Sequence, residues 1–232
     1  MHNTAPKNLQ ELLQRCQQIT DKSIGYLANE LNIAVPDNLM HAKGWVGQLI
    51  EAFLGASSGN KALPDFADLG IELKTIPINA HGKPLESTYV CTIQSNAAMV
   101  AWSDSWVYKK LRHVLWVPCL SSSDLAISAR IIKAPILWKM DPDTEEILRT
   151  DWEELMDMLQ LGYAKDLTAK YGTYLHIRPK AANSRVLIDY VDSDGHSTKI
   201  IPKGFYLRPS FTTAVLRQPA AFDTMNPGFT TI

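Results

Sequence analysis

The segment Asp65-Phe66-Ala67-Asp68-Leu69-Gly70-Ile71-Glu72-Leu73-Lys74 limits what this chain can fold into more than any other stretch. It opens on an acid, turns at Gly70 and continues into Ile71–Ile78, an apolar-flanked run that reads as a strand. Successive strand side chains point to opposite faces, so Glu72 and Lys74 share one face while Ile71, Leu73 and Thr75 take the other. With Asp65 on a neighbouring strand or turn, two carboxylates and one ammonium converge on a point. Hard oxygen ligands of that kind suit Mg²⁺, which keeps several waters and takes one or two protein carboxylates. The lysine can orient an attacking water or offset charge that grows on a phosphate. An acid and a lysine two apart on a surface strand also fit a plain solvated face.

Length and composition narrow the classes. A chain of 232 residues is long enough to bury a substantial core, and 46% apolar with 20% charged residues is ordinary for a globular protein. No apolar run is long enough to span a bilayer, and the first residues lack the basic and apolar regions of a signal peptide, so a soluble cytoplasmic protein is expected. Cys16, Cys91 and Cys119 are odd in number and widely spaced, which predicts buried thiols rather than a disulfide framework or a zinc site. The net charge of −1 hides an asymmetry: eight acids against Arg149 between Asp141 and Asp157 leave that stretch at −7 and the remainder at +6. A basic surface for a polyanion is therefore available, provided the acidic segment faces elsewhere.

Apolar spacing predicts helices over 8–20, with Asn8 as N-cap, and over 23–31, with Ser23 as cap and Ile24, Leu27 and Leu31 inward. A third helix over 43–54 ends at Gly55, with Trp45, Leu49 and Phe53 as its core stripe and Gly44, Gly47 and Glu51 on another face. Asn79-Ala80-His81-Gly82 supplies turn chemistry before the β-rich Glu86–Ile93, which predicts a hairpin returning from the Glu72 strand. A capped helix over 103–112 ends in Lys109, Lys110 and Arg112, bases that can track phosphates or simply suit a helix C-terminus. Strands follow at 114–118 and 130–138, and then an acidic helix from about Thr144 to Leu161 whose acids face solvent or a partner. Residues 173–178 alternate as a strand, and Arg178, held between strand and Pro179, is placed to read a guanine edge or to serve as one more surface cation. A last strand lies between Lys199 and Arg208, with a short helix near 210–217. No repeat or clean linker is visible, which predicts one two-lobed domain over 1–217 and a flexible tail over 218–232.

The spacing D-x6-E-x-K after Pro64 is the pattern of metal-dependent nucleases of the restriction-endonuclease type. Taken with Lys43–Glu51, Asp151–Met158 and Arg178-Pro179-Lys180-Ala181-Ala182-Asn183, the chain from about 8 to 217 resembles the MutH family, the strand-nicking endonucleases of methyl-directed mismatch repair. The resemblance implies an α/β, restriction-endonuclease-like fold: a mixed β-sheet flanked by helices, in two lobes around a DNA cleft. It implies a monomer that uses one or two Mg²⁺ ions to nick the unmethylated strand of double-stranded DNA at GATC sites, under activation by MutL. The family's metal ligands match Asp65, Glu72 and the backbone carbonyl of Leu73, with Glu51 as an additional helix glutamate; its catalytic lysine matches Lys74, and a further active-site lysine falls on Lys110. DNA contacts fall on Lys43, Gly44, Glu86, Tyr89, Arg178, Pro179, Lys180 and Tyr206. Tyr89 stands where some relatives carry phenylalanine, and Ala80 and 94–101 depart from the pattern, so the resemblance assigns no contacts there. Two other readings remain open at this point: an autonomous GATC-specific restriction endonuclease, and a DNA- or protein-binding module without catalysis.

Overall fold

A computed structural model describes residues 3–38, 44–56, 63–93, 100–180 and 187–222. The chain forms two compact units, one built from residues 1–86, 113–139 and 213–232, the other from 87–112 and 140–212. No helix among the described residues is long and apolar enough to cross a membrane.

The first unit begins with α1 (Leu9–Ile19), where the Asn8 side chain accepts from the Glu11 N–H, and α2 (Ile24–Glu30), where Ser23 does the same for Tyr26. Both caps satisfy N–H groups that a helix start otherwise leaves unpaired. α3 (Trp45–Leu54) lies between two left-handed glycines, Gly44 (φ 84°) and Gly55 (φ 83°). Its fully buried positions are Leu49, Ile50 and Leu54, whereas Trp45 and Phe53 are only partly covered. The predicted stripe was thus rotated, because this helix is apolar on most sides and spacing alone does not select the ridge that meets the core.

β1 (Glu72–Ile78) pairs in parallel with β3 (His113–Leu120), from Glu72 opposite Val114 to Ile78 opposite Leu120. β3 also takes two short antiparallel strands, β4 (Ile131–Ile132) and β5 (Ile136–Lys139), so the predicted strand at 130–138 is broken in two. Val114, Leu115, Trp116 and Val117 are completely buried, as a central strand covered on both faces requires. Leu73, Leu115 and Val117 join Leu12, Ile19, Leu27 and Ile50 in one core.

The second unit holds an antiparallel sheet in the order β2 (Thr88–Thr92), β9 (Lys203–Leu207), β6 (Leu175–Pro179). The hairpin expected between the Glu72 strand and Glu86–Ile93 does not form. The turn itself is present, with Asn79 Oδ1 accepting from His81 and Lys83 and Leu85 N–H donating to Pro77. Pairing then stops and β2 joins β9, burying Val90 and Cys91. Pro84 has no N–H to extend a ladder, and the edge of β1 is used otherwise, as described below.

α4 (Trp106–Leu111) starts at a Ser105 cap, and α5 (Pro142–Gln160) at Asp141, whose side chain accepts from Thr144. α5 buries Leu148, Trp152, Leu155 and Met156, while Glu153, Glu154 and Asp157 face solvent as expected. Asp151 does not: it is 4% exposed and its carboxylate accepts the N–H groups of Thr173, Tyr174 and Leu175 at 2.7, 2.7 and 2.8 Å. A hairpin of β7 (Ile188–Val191) and β8 (Ser197–Ile200) went unpredicted, although Asp192-Ser193-Asp194-Gly195 carries its turn signal. α6 (Pro209–Val215) closes the regular structure, and beyond it Ala221 is buried with its N–H on the Pro135 carbonyl.

Candidate active site

The six residues between Asp65 and Glu72 form a closed loop. Phe66 and Ile71 exchange both backbone hydrogen bonds (2.9 and 3.2 Å) around a 3₁₀ turn at Ala67–Leu69, and Gly70 takes the positive φ of 65° that the reversal needs. Asp65 is thereby folded back onto the start of β1, where its Oδ2 accepts the Leu73 N–H at 2.8 Å. β1 is the edge strand of its sheet among the described residues, and this carboxylate takes the place a neighbouring strand would occupy. Within a strand, the N–H and C=O of one residue point the same way. The Leu73 carbonyl therefore also points away from β3, toward the Asp65 side.

Glu72 is 2% exposed, and its Oε1 accepts from Lys74 Nζ at 2.6 Å, so the two occupy one face as the alternation requires. This excludes a solvated surface pair, because Asp65 is buried too, at 6% exposed. Two buried carboxylates at the start of one strand supply hard oxygens, a donor set that fits a divalent cation of the Mg²⁺ type. Glu51 comes to the same strand from α3: its Oε1 and Thr75 Oγ1 both border the space beside Gly47, 3.9 and 3.7 Å from where a Cβ there would stand.

Lys110 lies in the last turn of α4, in the second unit, and is 9% exposed. The remaining predicted contacts divide likewise. Gly44 and Glu86 are exposed residues of the first unit, and Lys43 lies outside the described residues. Tyr89, Arg178, Pro179, Lys180 and Tyr206 belong to the second unit; Tyr89, Arg178 and Tyr206 share one face of its three-stranded sheet, whereas Pro179, opposite Lys203, takes the other. Tyr89 and Tyr206 meet edge to face at 5.4 Å, the Lys180 ammonium sits 4.0 Å from the Tyr89 ring centre, and the Arg178 guanidinium is 5.7 Å from that of Tyr206. Cations over aromatic faces are attracted by the ring quadrupole, which fixes their direction without neutralising them.

Two residues of this face carried no sequence signal. Gly204, opposite Arg178, leaves the room that Tyr89 fills: a Cβ there would stand 3.1 Å from Tyr89 Cε2 and 3.0 Å from the Cys91 carbonyl oxygen. His176, opposite Tyr206, is buried, and burial, with the Arg208 and Arg178 guanidinium groups, pushes its pKa down to about 4. The imidazole is therefore neutral at physiological pH.

Among the described residues, the one group of three acid or imidazole side chains with ligand atoms within 4.8 Å of one another is Asp192, Asp194 and His196. It sits on the β7–β8 turn, where Asp192 Oδ1 accepts the N–H groups of Asp194 and His196 and so closes the turn. That bonding explains the cluster without an ion.

A mixed sheet flanked by helices, with an aspartate looped back onto a strand-borne Glu-x-Lys pair, defines a protein of the restriction-endonuclease-like class. Comparison with known proteins narrows this. The family described as "DNA mismatch repair enzyme MutH" matches residues 54–151. Over 213 residues the chain is 46% identical to the DNA mismatch repair protein MutH of Serratia proteamaculans, covering 91% of this chain and 93% of that protein. It is 47% identical over 214 residues to that of Shewanella sp. strain W3-18-1, covering 92% and 96%, and 45% identical over 214 residues to that of Shewanella oneidensis, with the same shares. The chain belongs to the MutH family of DNA mismatch repair enzymes.

Proposed function

We propose that this protein is a Mg²⁺-dependent endonuclease that acts as a cytoplasmic monomer in methyl-directed mismatch repair. It nicks the unmethylated strand of double-stranded DNA at hemimethylated or unmethylated GATC sites and is activated by MutL. The observation that supports this reading best is the convergence of Asp65, through its bond to the Leu73 N–H, with the buried Glu72–Lys74 pair on one edge strand.

In this reading Asp65, Glu72 and the Leu73 carbonyl would hold one or two Mg²⁺ ions, with Glu51 as a further ligand, directly or through water. Bound Mg²⁺ supplies acidification of the attacking water and stabilisation of the leaving oxygen. Lys74, whose ammonium donates to Glu72 at 2.6 Å, would orient that water for in-line displacement. Lys110 offers a second ammonium to the phosphate. Arg178 and Lys180 engage base edges and backbone, the rigid strand end and Pro179 limiting the rotamers Arg178 loses on binding. The Tyr206 hydroxyl faces adenine N6, where a methyl group displaces it.

The test is nicking of a supercoiled plasmid carrying GATC sites, unmethylated against fully methylated, with Mg²⁺ or EDTA, and with or without MutL. Open-circle product that needs Mg²⁺, is suppressed by methylation and rises with MutL is the expected result. Rapid linearisation without MutL would replace this reading with an autonomous restriction enzyme, and binding without cleavage in every lane would replace it with a non-catalytic module.

A further inference from the structure

Tyr89 and Thr92 are three apart on β2, a spacing that puts two side chains on opposite faces of a regular strand. Here they meet: the two hydroxyls share a hydrogen bond of 2.8 Å. The reason is a bulge. Tyr89 pairs with Tyr206, but Cys91 rather than Val90 takes the place opposite Phe205, so one extra residue turns Thr92 to the face that Tyr89 occupies. Thr92 stands opposite Gly204, and the Tyr89 ring passes over that glycine to reach it: a Cβ on Gly204 would lie 3.1 Å from Tyr89 Cε2 and 3.5 Å from Lys180 Cβ. Glycine within a strand marks close approaches of this kind. The Lys180 ammonium, on an exposed residue, sits 4.0 Å from the centre of the same ring.

We infer that Thr92 is a positioning residue for a DNA phosphate contact made by Lys180, acting through the Tyr89 ring. A lysine just past the end of a strand has a flexible stem, and its ammonium loses freedom when it takes a phosphate. The ring face attracts the ammonium without neutralising it, so the charge is aimed before DNA arrives. The ring serves as a platform only while it is itself held: Gly204 leaves room for it, Tyr206 meets it edge to face at 5.4 Å, and Thr92 ties its hydroxyl end. A phenylalanine at this position would keep the face and lose the tie. This deepens the endonuclease reading and rests on it, because it adds a residue to the DNA-binding face of the same sheet. Phosphate contacts position a duplex without reading its sequence, so the effect is equal on methylated and unmethylated DNA.

The test is binding of the full chain to a short GATC duplex, by fluorescence anisotropy over a series of salt concentrations, with Ca²⁺ in place of Mg²⁺. A thermal melt checks that every variant is folded at the assay temperature. Lys180→Gln weakens binding and lowers the slope of log affinity against log salt by about 1, the mark of a lost phosphate contact. Thr92→Val keeps the shape and weakens binding about fivefold, the scale of ordering one side chain on binding, while the salt slope stays the same because the charge remains. Tyr89→Phe gives the same loss, the double variant loses no more than either, and Thr92→Ser restores most of the affinity. In a Lys180→Gln background Thr92→Val has no further effect, whereas a general weakening of the sheet would persist there. If Lys180→Gln lowers affinity and slope but Thr92→Val binds as the unaltered chain does, or if the Thr92→Val loss persists without Lys180, the Thr92 assignment is wrong and the endonuclease reading stands. The assignment falls in the same way if Lys180→Gln changes neither affinity nor slope. An unaltered chain that does not bind the duplex overturns both.

Discussion

Asp151→Ala removes one side chain and leaves three backbone groups without partners. The Asp151 carboxylate accepts the N–H groups of Thr173, Tyr174 and Leu175 at 2.7–2.8 Å, and the residue is 4% exposed. Hydrogen bonds to a charged acceptor contribute about 1.5–3 kcal/mol each, a gross loss of roughly 5–9 kcal/mol. Against this stands the cost of keeping a carboxylate out of water, several kcal/mol, which the alanine no longer bears. The expected net loss is about 3–4 kcal/mol, and Asp151→Asn, which keeps one acceptor oxygen but turns an amide NH₂ toward a donor, loses about 2 kcal/mol. With a urea slope near the upper end of about 1–3 kcal/mol/M, the Asp151→Ala midpoint drops by roughly 1 M. Hydrogen exchange locates the damage: the amides of Thr173, Tyr174 and Leu175 exchange faster than the global opening allows. Leu175 begins β6, which ends in Arg178 and Pro179, so affinity for DNA falls as well. An Asp151→Ala protein with the original midpoint and with these amides still protected would refute the assignment of this carboxylate as the anchor of β6.

His176 keeps a folded pKa of about 4 against an ordinary 6.5, so below pH 6.5 the unfolded chain takes up a proton that the folded chain refuses. Its share of stability is complete above that value and drains away as pH falls toward 4; His176→Gln flattens this part of the urea-midpoint profile between pH 7 and 4. Burial pushes the Cys16 thiol up to about 12 and that of Cys119 up to about 11, and Cys91 is also buried, so a thiol reagent at neutral pH reacts only as fast as the chain opens. Gly204→Ala drives a methyl group to 3.0 Å from the Cys91 carbonyl oxygen and 3.1 Å from the Tyr89 ring. Overpacking of that kind costs about 1–3 kcal/mol and should also weaken DNA binding, measured by fluorescence anisotropy on a short duplex.

What the residues announce and what they conceal differ in kind. Asp65, Glu72 and Lys74 are legible because a short loop and a period-two strand fix their relations within ten residues. The caps Asn8, Ser23 and Ser105 are legible for the same local reason. The partner of β2 is not. Asn79 to Gly82 announces that the chain reverses, but which strand receives Thr88–Thr92 depends on β9, more than a hundred residues away. Asp151 stood among acids that do face water, and the N–H groups it serves have no side-chain signature. The role of Gly204 lies in the space beside it, and space between elements is set by packing rather than by pattern. The β7–β8 hairpin, by contrast, has a local signal in Asp194-Gly195.

The chain passes from one unit to the other after Glu86, after Arg112, after Lys139 and after Thr212. Neither unit is a continuous stretch of sequence, so no single breakpoint in the gene separates them. Recombination cannot move the acidic site into a new background as a cassette, because the strand that pairs with β1 is encoded beyond a stretch belonging to the other sheet. Nor can one sheet be shed to leave a minimal nuclease. Change in such a protein comes by substitution and loop insertion within a fixed frame, and any redesign of the three-stranded sheet must be made in place.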